Sequence, residues 1–202
     1  LSNYREKHGE YPKKVSYTFW AGEFISSQGA TIAQALRMLG VEPIRDDQGR
    51  VMDLKLTPSK DLGRPRINIL VQVSGQLRDI ASSRLKMITD AVRLASEAQD
   101  DLYPNYVADG SIEQEKRLID KGESPQRARE LSKMRVFGPV NSGYSTGMLR
   151  YTESSGEWEE RSELADGYLN NMCAMYGDDE NWGAINRNVL EAGISGTDVI
   201  VQ

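Results

Sequence analysis

The residues best suited to chemistry come directly after a buried strand, in the segment Ser74-Gly75-Gln76-Leu77-Arg78-Asp79. Before it, residues 67–73 form a nearly continuous apolar run, which is typical of a strand covered on both faces in a parallel sheet. Gly75 lets the backbone turn sharply or approach a ligand. Ligands of open α/β sheets bind outside the carboxyl ends of strands, so this turn predicts a binding site. The alternative is a serine-capped helix whose charged residues pair with surface neighbours.

Two other polar turns that contain glycine support the binding interpretation. One follows an aromatic-rich strand at residues 15–20, and its candidate binding residues are Trp20 and Glu23. The alternative is that Trp20 is part of the core and that Glu23 is solvated. The other, residues 138–147, has three glycines and could present backbone N–H groups and hydroxyls to an anion. It is neither a Gly-x-Gly-x-x-Gly motif nor a Walker A motif. A glycine-rich loop can also serve only to turn the chain.

Composition excludes several kinds of site. His8 is the only histidine and Cys173 the only cysteine, which argues against a Ser-His-Asp triad, a multi-histidine metal site, a thiolate zinc cluster and an internal disulfide. The net charge of -5 argues against a protein that binds nucleic acid by neutralising phosphates. No apolar run approaches membrane-spanning length and no signal peptide is visible. We therefore expect a cytoplasmic protein without a resident metal or cofactor.

The periodicity predicts an α/β fold, with a mostly parallel sheet flanked by helices and a helical hairpin insertion. Residues 1–14 read as a linker or the end of a preceding domain, and residues 15–108 as the α/β core. Residues 109–135 read as the helical hairpin, starting at a Ser111/Gln114 capping box. Residues 136–202 return to the core with the glycine-rich loop, helices at 162–176 and 180–192, and a last strand at 199–201. A single long helix is expected over residues 77–98.

Several segments together resemble the large-subunit family of tetrapyrrole metal chelatases, which includes the aerobic cobaltochelatase and magnesium-chelatase H subunits. Their order and spacing match over roughly residues 13–202, and these segments are more similar to the cobaltochelatase branch than to the magnesium branch. The segments that carry the resemblance are Tyr17-Thr18-Phe19-Trp20-Ala21-Gly22-Glu23, Gly63-Arg64-Pro65-Arg66-Ile67, Ser74-Gly75-Gln76-Leu77-Arg78-Asp79, Arg135-Val136-Phe137-Gly138, Tyr144-Ser145-Thr146-Gly147 and Tyr168-Leu169-Asn170-Asn171-Met172.

The resemblance implies an internal fragment of the subunit that binds the tetrapyrrole and the metal, cobalt or magnesium, while separate AAA+ partner subunits hydrolyse ATP. The family's Phe-Gly-x-His-Gly-type segment is absent, so we expect it upstream of this sequence and the isolated fragment to be inactive. The ligase activity expected of the whole complex is cobalt insertion into a corrin precursor of the hydrogenobyrinate a,c-diamide type, in cobalamin biosynthesis. The alternatives are a magnesium-chelatase or haem-dechelating relative, and a structural domain that docks the AAA+ partners.

For such a reaction the three turns would meet at one edge of the sheet and form part of a wall for a flat macrocycle. Arginine and backbone N–H groups would hold the ring periphery, and carboxylates would accept its inner protons. The candidate catalytic carboxylates are Glu23 and Asp79. The candidate substrate-binding residues are Trp20, Ser74, Gly75, Gln76, Arg78, Asn141, Tyr144, Ser145 and Thr146.

Overall fold

A computed structural model describes residues 1–99, 102–140, 146–148 and 160–202. Its main sheet has the strand order β6-β5-β4-β1-β7, in which β1, β4, β5 and β7 run parallel and β6 is antiparallel to β5. The strands are β1 (Lys14–Phe19), β2 (Val41–Arg45), β3 (Val51–Leu56), β4 (Asn68–Val73), β5 (Val136–Gly138), β6 (Ala174–Met175) and β7 (Val199–Val201). The predicted α/β class with a mostly parallel sheet is confirmed.

The helices cover both faces of this sheet. They are α1 (Ser2–His8), α2 (Ala21–Ser26), α3 (Ala30–Leu39), α4 (Ser59–Leu62), α5 (Gly75–Ile80), α6 (Ser82–Ser96), α7 (Tyr106–Asp120), α8 (Pro125–Leu131), α9 (Arg161–Met172) and α10 (Arg187–Ile194). Of these helices, none combines the length and the apolar composition that crossing a bilayer requires.

Side-chain alternation along the central strands produces two separate cores. Tyr17 on β1 and Val71 on β4 point toward α3 and α6, where they join the larger hydrophobic cluster. Leu70 points the other way and packs with Phe137 and with Leu190 of α10. On this second face β1 presents Ser16 and Thr18 instead of apolar side chains, so the second core does not extend over that part of the sheet.

Two hairpins flank the parallel sheet. The strands β2 and β3 pair antiparallel as a separate two-stranded sheet beside α6. The helices α7 and α8 form the helical hairpin, and α7 also packs against α6, α10 and β4. The turn between them ends at Ser124, whose Oγ caps α8 by accepting from the Arg127 N–H at 3.3 Å.

A buried arginine joins the helical hairpin to the sheet. Arg135 is 1% exposed and donates to the Asn68 side chain on β4 at 3.0 Å and to Gln114 on α7 at 2.9 Å. Its other hydrogen bonds go to the Ser111 hydroxyl and to the carbonyls of Ser132 and Met134. Burial lowers the pKa of Arg135, which shows the cost of placing this charge away from water.

Several predicted boundaries are wrong. The predicted capping box is inside a helix: α7 begins at Tyr106 and is capped by Asn105, whose side chain accepts from the Val107 and Ala108 N–H groups. Ser111 and Gln114 are instead buried partners of Arg135. Buried polar residues within a helix imitate a capping pattern when only the sequence is known.

Three predicted helices also differ from the observed ones. The helix expected over residues 77–98 is divided at Ala81, whose φ of -130° is not helical. The helix expected over 162–176 ends at Met172, because the next residues pair with β5. The last helix starts at Arg187 rather than residue 180, after an Asn186 cap.

Candidate functional site

The carboxyl ends of β1, β4 and β5 lie side by side and lead into the three polar turns. The first residues after these strands are Trp20, Ser74 and Pro139, and all three line one cleft with a volume of about 250 Å³. The cleft opens on the sheet face that carries Ser16 and Thr18. It is therefore at the strand-end position where ligands of open α/β sheets bind.

Polar side chains form the floor of this cleft. Thr18 and Gln72 are partners across the β1–β4 pair, and Ser16 precedes them on the same face of β1. Gln72 is 6% exposed, yet its Nε2 has no hydrogen-bond partner among the described residues.

Helix α9 covers the floor with Tyr168 and Met172. Burial raises the pKa of Tyr168 to about 12, although a hydrogen bond with the neighbouring Gln72 side chain acts in the opposite direction. The phenol therefore stays uncharged at neutral pH. Thr146, from the glycine-rich segment, completes this side of the cleft.

Arg78 lies on the other side of the turn after β4, where it meets Tyr176 and Asp79. Its Nε donates to Asp79 Oδ1 at 2.7 Å, and its Cζ lies 5.4 Å from the centre of the Tyr176 ring. The hydrogen bond to Asp79 is the largest cause of a raised Arg78 pKa, and the same contact lowers the pKa of Asp79. Both groups are therefore held in their charged forms. Arg78 lines a separate surface depression that also includes Trp182.

The cleft brings together Trp20, Ser74 and Thr146 from the residues proposed on sequence grounds. Ser74 also caps α5, because its Oγ accepts from the Leu77 N–H at 3.2 Å, so the capping alternative is confirmed for a residue that also lines the cleft. Trp20 is 46% exposed at the start of α2.

The other proposed residues do not line the cleft or lie outside the described residues. Glu23 is exposed on α2, which replaces the polar loop expected there. Gly75 is buried as the first residue of α5, and Gln76 is exposed beside it. Asn141, Tyr144 and Ser145 lie outside the described residues.

Sequence reasoning missed Thr18, Gln72 and Tyr168, which contribute to the floor and cover of the cleft. Gln72 was visible as a polar residue inside an apolar run. Its partner position across the strands was not visible, because parallel register depends on which strands become neighbours.

Carboxylates, histidines and cysteines do not gather into a possible metal site here. Within the described ranges, no three His, Cys, Asp or Glu side chains form a group that could hold a metal ion.

The family model described as CobN/Magnesium Chelatase matches residues 1–202. The chain is 29% identical to the aerobic cobaltochelatase subunit CobN of Sinorhizobium sp, covering 100% of this chain and 16% of that protein. It is also 29% identical to the chloroplastic magnesium-chelatase subunit ChlH of Oryza sativa subsp. indica, covering 96% of this chain and 14% of that protein. The chain thus spans about one seventh to one sixth of the length of these relatives.

A solved structure has a similar fold over nearly the whole chain. The catalytic subunit of cobaltochelatase from Mycobacterium tuberculosis superposes with a TM-score of 0.87 at 29% sequence identity. The superposition covers 99% of this chain and 16% of that subunit.

Proposed function

The chain belongs to the CobN/magnesium chelatase family, and from this premise we propose that it forms part of the tetrapyrrole-binding wall of an ATP-dependent cobaltochelatase large subunit. In this proposal the whole subunit inserts cobalt into a corrin precursor, while AAA+ partner subunits hydrolyse ATP. The metal and the ring are substrates, and this segment contributes to holding the ring.

One observation carries the proposal: three turns that are distant in the sequence meet around a cleft at the carboxyl edge of the sheet. The cleft, at about 250 Å³, is smaller than the roughly 300–1,000 Å³ of pockets that enclose drug-sized ligands. A macrocycle would therefore lie across the rim and place only a peripheral group inside. Trp20, half exposed at the rim, offers an aromatic face on which a flat ring can stack.

Arg78 supplies positive charge in the separate depression on the other side of the turn after β4. Its side chain is 12% exposed and its contacts with Asp79 and Tyr176 fix its position. In the proposal it attracts the carboxylates of the ring periphery and also supports Tyr176. An ammonium group in its place would keep the charge but lose the planar contact with the tyrosine ring.

The two candidate carboxylates differ in what they can do. Metal insertion requires an acceptor for the inner N–H protons of the ring, and an effective acceptor has a pKa near the working pH. The pKa of Asp79 is lowered by Arg78, so Asp79 is a weak proton acceptor and is better suited to holding Arg78. Glu23, exposed on α2, is the carboxylate that we propose for the proton-accepting role in this segment.

The test is a titration of the chain with a metal-free tetrapyrrole, in which the absorbance of the ring reports binding. Trp20→Ala should weaken binding by about tenfold, and Arg78→Ala should weaken it and reduce its dependence on salt. Arg129→Ala, at an exposed site on α8, is the matched control. Unchanged affinity in both variants would remove the proposed role of this edge.

The choice of metal is tested in the assembled chelatase that contains this segment. With the ATPase partners, ATP and a metal-free ring, the proposal expects cobalt(II) to be inserted and magnesium(II) not to be. Insertion of magnesium alone would assign the chain to the other branch of the family. Release of metal from a loaded ring, without insertion, would contradict the proposed direction of the reaction.

A further inference from the structure

A second pocket lies on the side of the sheet that α3 and α6 cover, away from the cleft. Helices α2, α3 and α6 and the β2–β3 hairpin surround it, and we call it the hairpin pocket. Its volume of about 380 Å³ is within the roughly 300–1,000 Å³ that is typical of pockets for small organic ligands. The hairpin pocket and the cleft share no lining residue, so the two are separate features of the molecule.

Apolar side chains form most of the hairpin pocket. Ile32 and Leu36 of α3 are buried in it and also belong to the larger hydrophobic core, and Phe24 and Met87 are half-buried beside them. Ile25, which also lines the pocket, is 65% exposed. A ligand with an apolar body would therefore remove from water apolar surface that the described part of the chain leaves uncovered.

The charge in the hairpin pocket is positive. Among the residues that line it, the charged ones are Arg45 of β2 and Arg84 of α6, and both are exposed. Arg45 donates to the neutral carbonyl of Gly49 at 2.7 Å, and neither arginine forms an ion pair with a described residue. Their charge is therefore not neutralised locally, although the whole chain has a net charge of -5.

The turn between α2 and α3 forms one wall of the hairpin pocket in an unusual conformation. Gln28 has a φ of 55°, in the left-handed region, and Gly29 follows it with a φ of 81°. A residue with a side chain adopts this conformation at a cost, and such residues are frequent at ligand-binding sites. The turn brings the Gln28 amide to the pocket, where it can add a neutral hydrogen bond to the attraction of the two arginines.

These properties select one class of ligand. A guanidinium group presents paired N–H donors that match the two oxygens of a carboxylate. A cationic head group would be repelled by both arginines, and a neutral one would leave their charges without a partner. The apolar floor favours a hydrocarbon body over a polar one.

We propose that the hairpin pocket binds a small monocarboxylate with an apolar body, such as a medium-chain fatty acid. The body lies over Ile32 and Leu36, and the carboxylate lies at Arg45 and Arg84. The proposal is independent of tetrapyrrole binding, because it uses no residue of the cleft. Since the ligand joins the hairpin to α3 and α6, it also stabilises the folded chain by mass action.

Two probes with the same hydrocarbon chain and opposite charge test the proposal. The chain is titrated with octanoate and with octylammonium, and the NMR signals of the Ile32 and Met87 methyl groups report occupation of the pocket. Octanoate should shift these signals saturably and bind at least about tenfold more tightly than octylammonium. The double variant Arg45→Gln/Arg84→Gln should weaken octanoate binding by about tenfold and remove the preference. Arg129→Gln, at an exposed site on α8, should leave both affinities within about twofold.

A second variant blocks the pocket without changing its charge. Ala33→Phe places a ring in the pocket from an exposed position on α3, and it should abolish octanoate binding. The proposal is wrong if octanoate leaves the two methyl signals unchanged, if both probes bind equally, or if the double arginine variant keeps its affinity. Shifts spread over methyl groups of the whole chain would show non-specific surfactant binding and would also overturn it.

Two other occupants are separate outcomes of the same measurement. If the two methyl signals respond to the concentration of the chain itself but not to octanoate, a second copy covers the pocket. If they respond to an acidic amphipathic peptide but not to octanoate, the pocket is a site for a protein partner. Either result overturns the monocarboxylate site.

Discussion

The Arg78 guanidinium lies against the Tyr176 ring, with its Nη1 3.4 Å from the Tyr176 hydroxyl oxygen. The same hydroxyl donates a 2.7 Å hydrogen bond to the carbonyl of Pro139. Tyr176 therefore connects the turn after β4 to the turn after β5. The Trp182 indole also meets the Tyr176 ring in a T-shaped arrangement, at a centroid distance of 5.2 Å, which fixes the ring from a third direction.

Removing the Tyr176 hydroxyl should weaken this connection. Tyr176→Phe deletes the donor to the Pro139 carbonyl in a residue that is 4% exposed, so the free energy of unfolding should fall by about 1–2 kcal/mol. Urea denaturation measures the change. Combined with Arg78→Ala in a double-mutant cycle, the pair should show a coupling of about 0.5–1 kcal/mol.

The control for that cycle is Tyr103→Phe, at a residue that is 42% exposed, which should change stability by less than about 0.5 kcal/mol. Because phenylalanine keeps the ring, additive effects of Arg78→Ala and Tyr176→Phe would show that Arg78 and the Tyr176 hydroxyl do not stabilise each other.

Replacement of Gln72 by leucine should stabilise the protein. The substitution removes a buried amide nitrogen that has no hydrogen-bond partner in the described part of the chain and keeps a similar volume in the strand, so we expect a gain of about 0.5–2 kcal/mol. Thermal and urea unfolding of the ligand-free chain measure it. A loss of more than about 1 kcal/mol would show that the Gln72 side chain is already hydrogen-bonded in the folded protein, with Tyr168 as the neighbouring candidate.

Much of the fold could be predicted because it depends on local patterns. The apolar run before Ser74 predicts a doubly covered strand. A glycine after an apolar helical pattern, as at Gly40, is typical of a helix end, and α3 does end there with a left-handed φ of 72°. The break at Ala81 could not be predicted in this way. Alanine favours helix, and a buried alanine that leaves the helical conformation does so because of its tertiary surroundings.

In the candidate site, too, the features set by local sequence could be predicted and those set by strand order could not. The positions of Trp20 and Ser74 at the rim follow from the strand ends, which the sequence indicates. The pairing of Thr18 with Gln72 depends on the order of strands in the sheet, since the two residues are far apart in the chain. The buried contacts of Arg135 were hidden for the same reason, and its partners Ser111 and Gln114 imitated a helix start.

Arg135 should be intolerant even of lysine. Its guanidinium reaches the side chains of Asn68, Gln114 and Ser111 and two backbone carbonyls, and an ammonium group has neither the reach nor the planar set of donors to replace it. Arg135→Lys should therefore lower the free energy of unfolding by about 2–4 kcal/mol, measured by urea denaturation. Arg129→Lys on the exposed face of α8 is the control, and equal effects of both substitutions would contradict this role.

Lys14 should make stability depend on alkaline pH. The lysine is 8% exposed and its Nζ donates to the carbonyls of Gly193 and Ser195. Burial is the main cause that lowers the pKa of Lys14 to about 8. The positive charges of Arg135 and Arg117 also lower it, and the negative charges of Glu113 and Asp198 raise it. The ordinary lysine pKa of 10.5 applies to the unfolded chain, so between about pH 8 and pH 10.5 the unfolded state binds more protons than the folded state.

Stability contributed by this residue must therefore rise with pH across that window, because the cost of burying the charge disappears as the folded lysine loses its proton. Relative to Lys14→Met, the free energy of unfolding of the wild type should increase by about 1–3 kcal/mol from pH 7.5 to pH 10.5. Other groups that titrate in this range affect both proteins and cancel in the difference. Lys116→Met, at an exposed site on α7, should give a difference that stays constant with pH. A difference for Lys14→Met that is flat or falls with pH would show that Lys14 keeps its proton, held by the two carbonyls despite its burial.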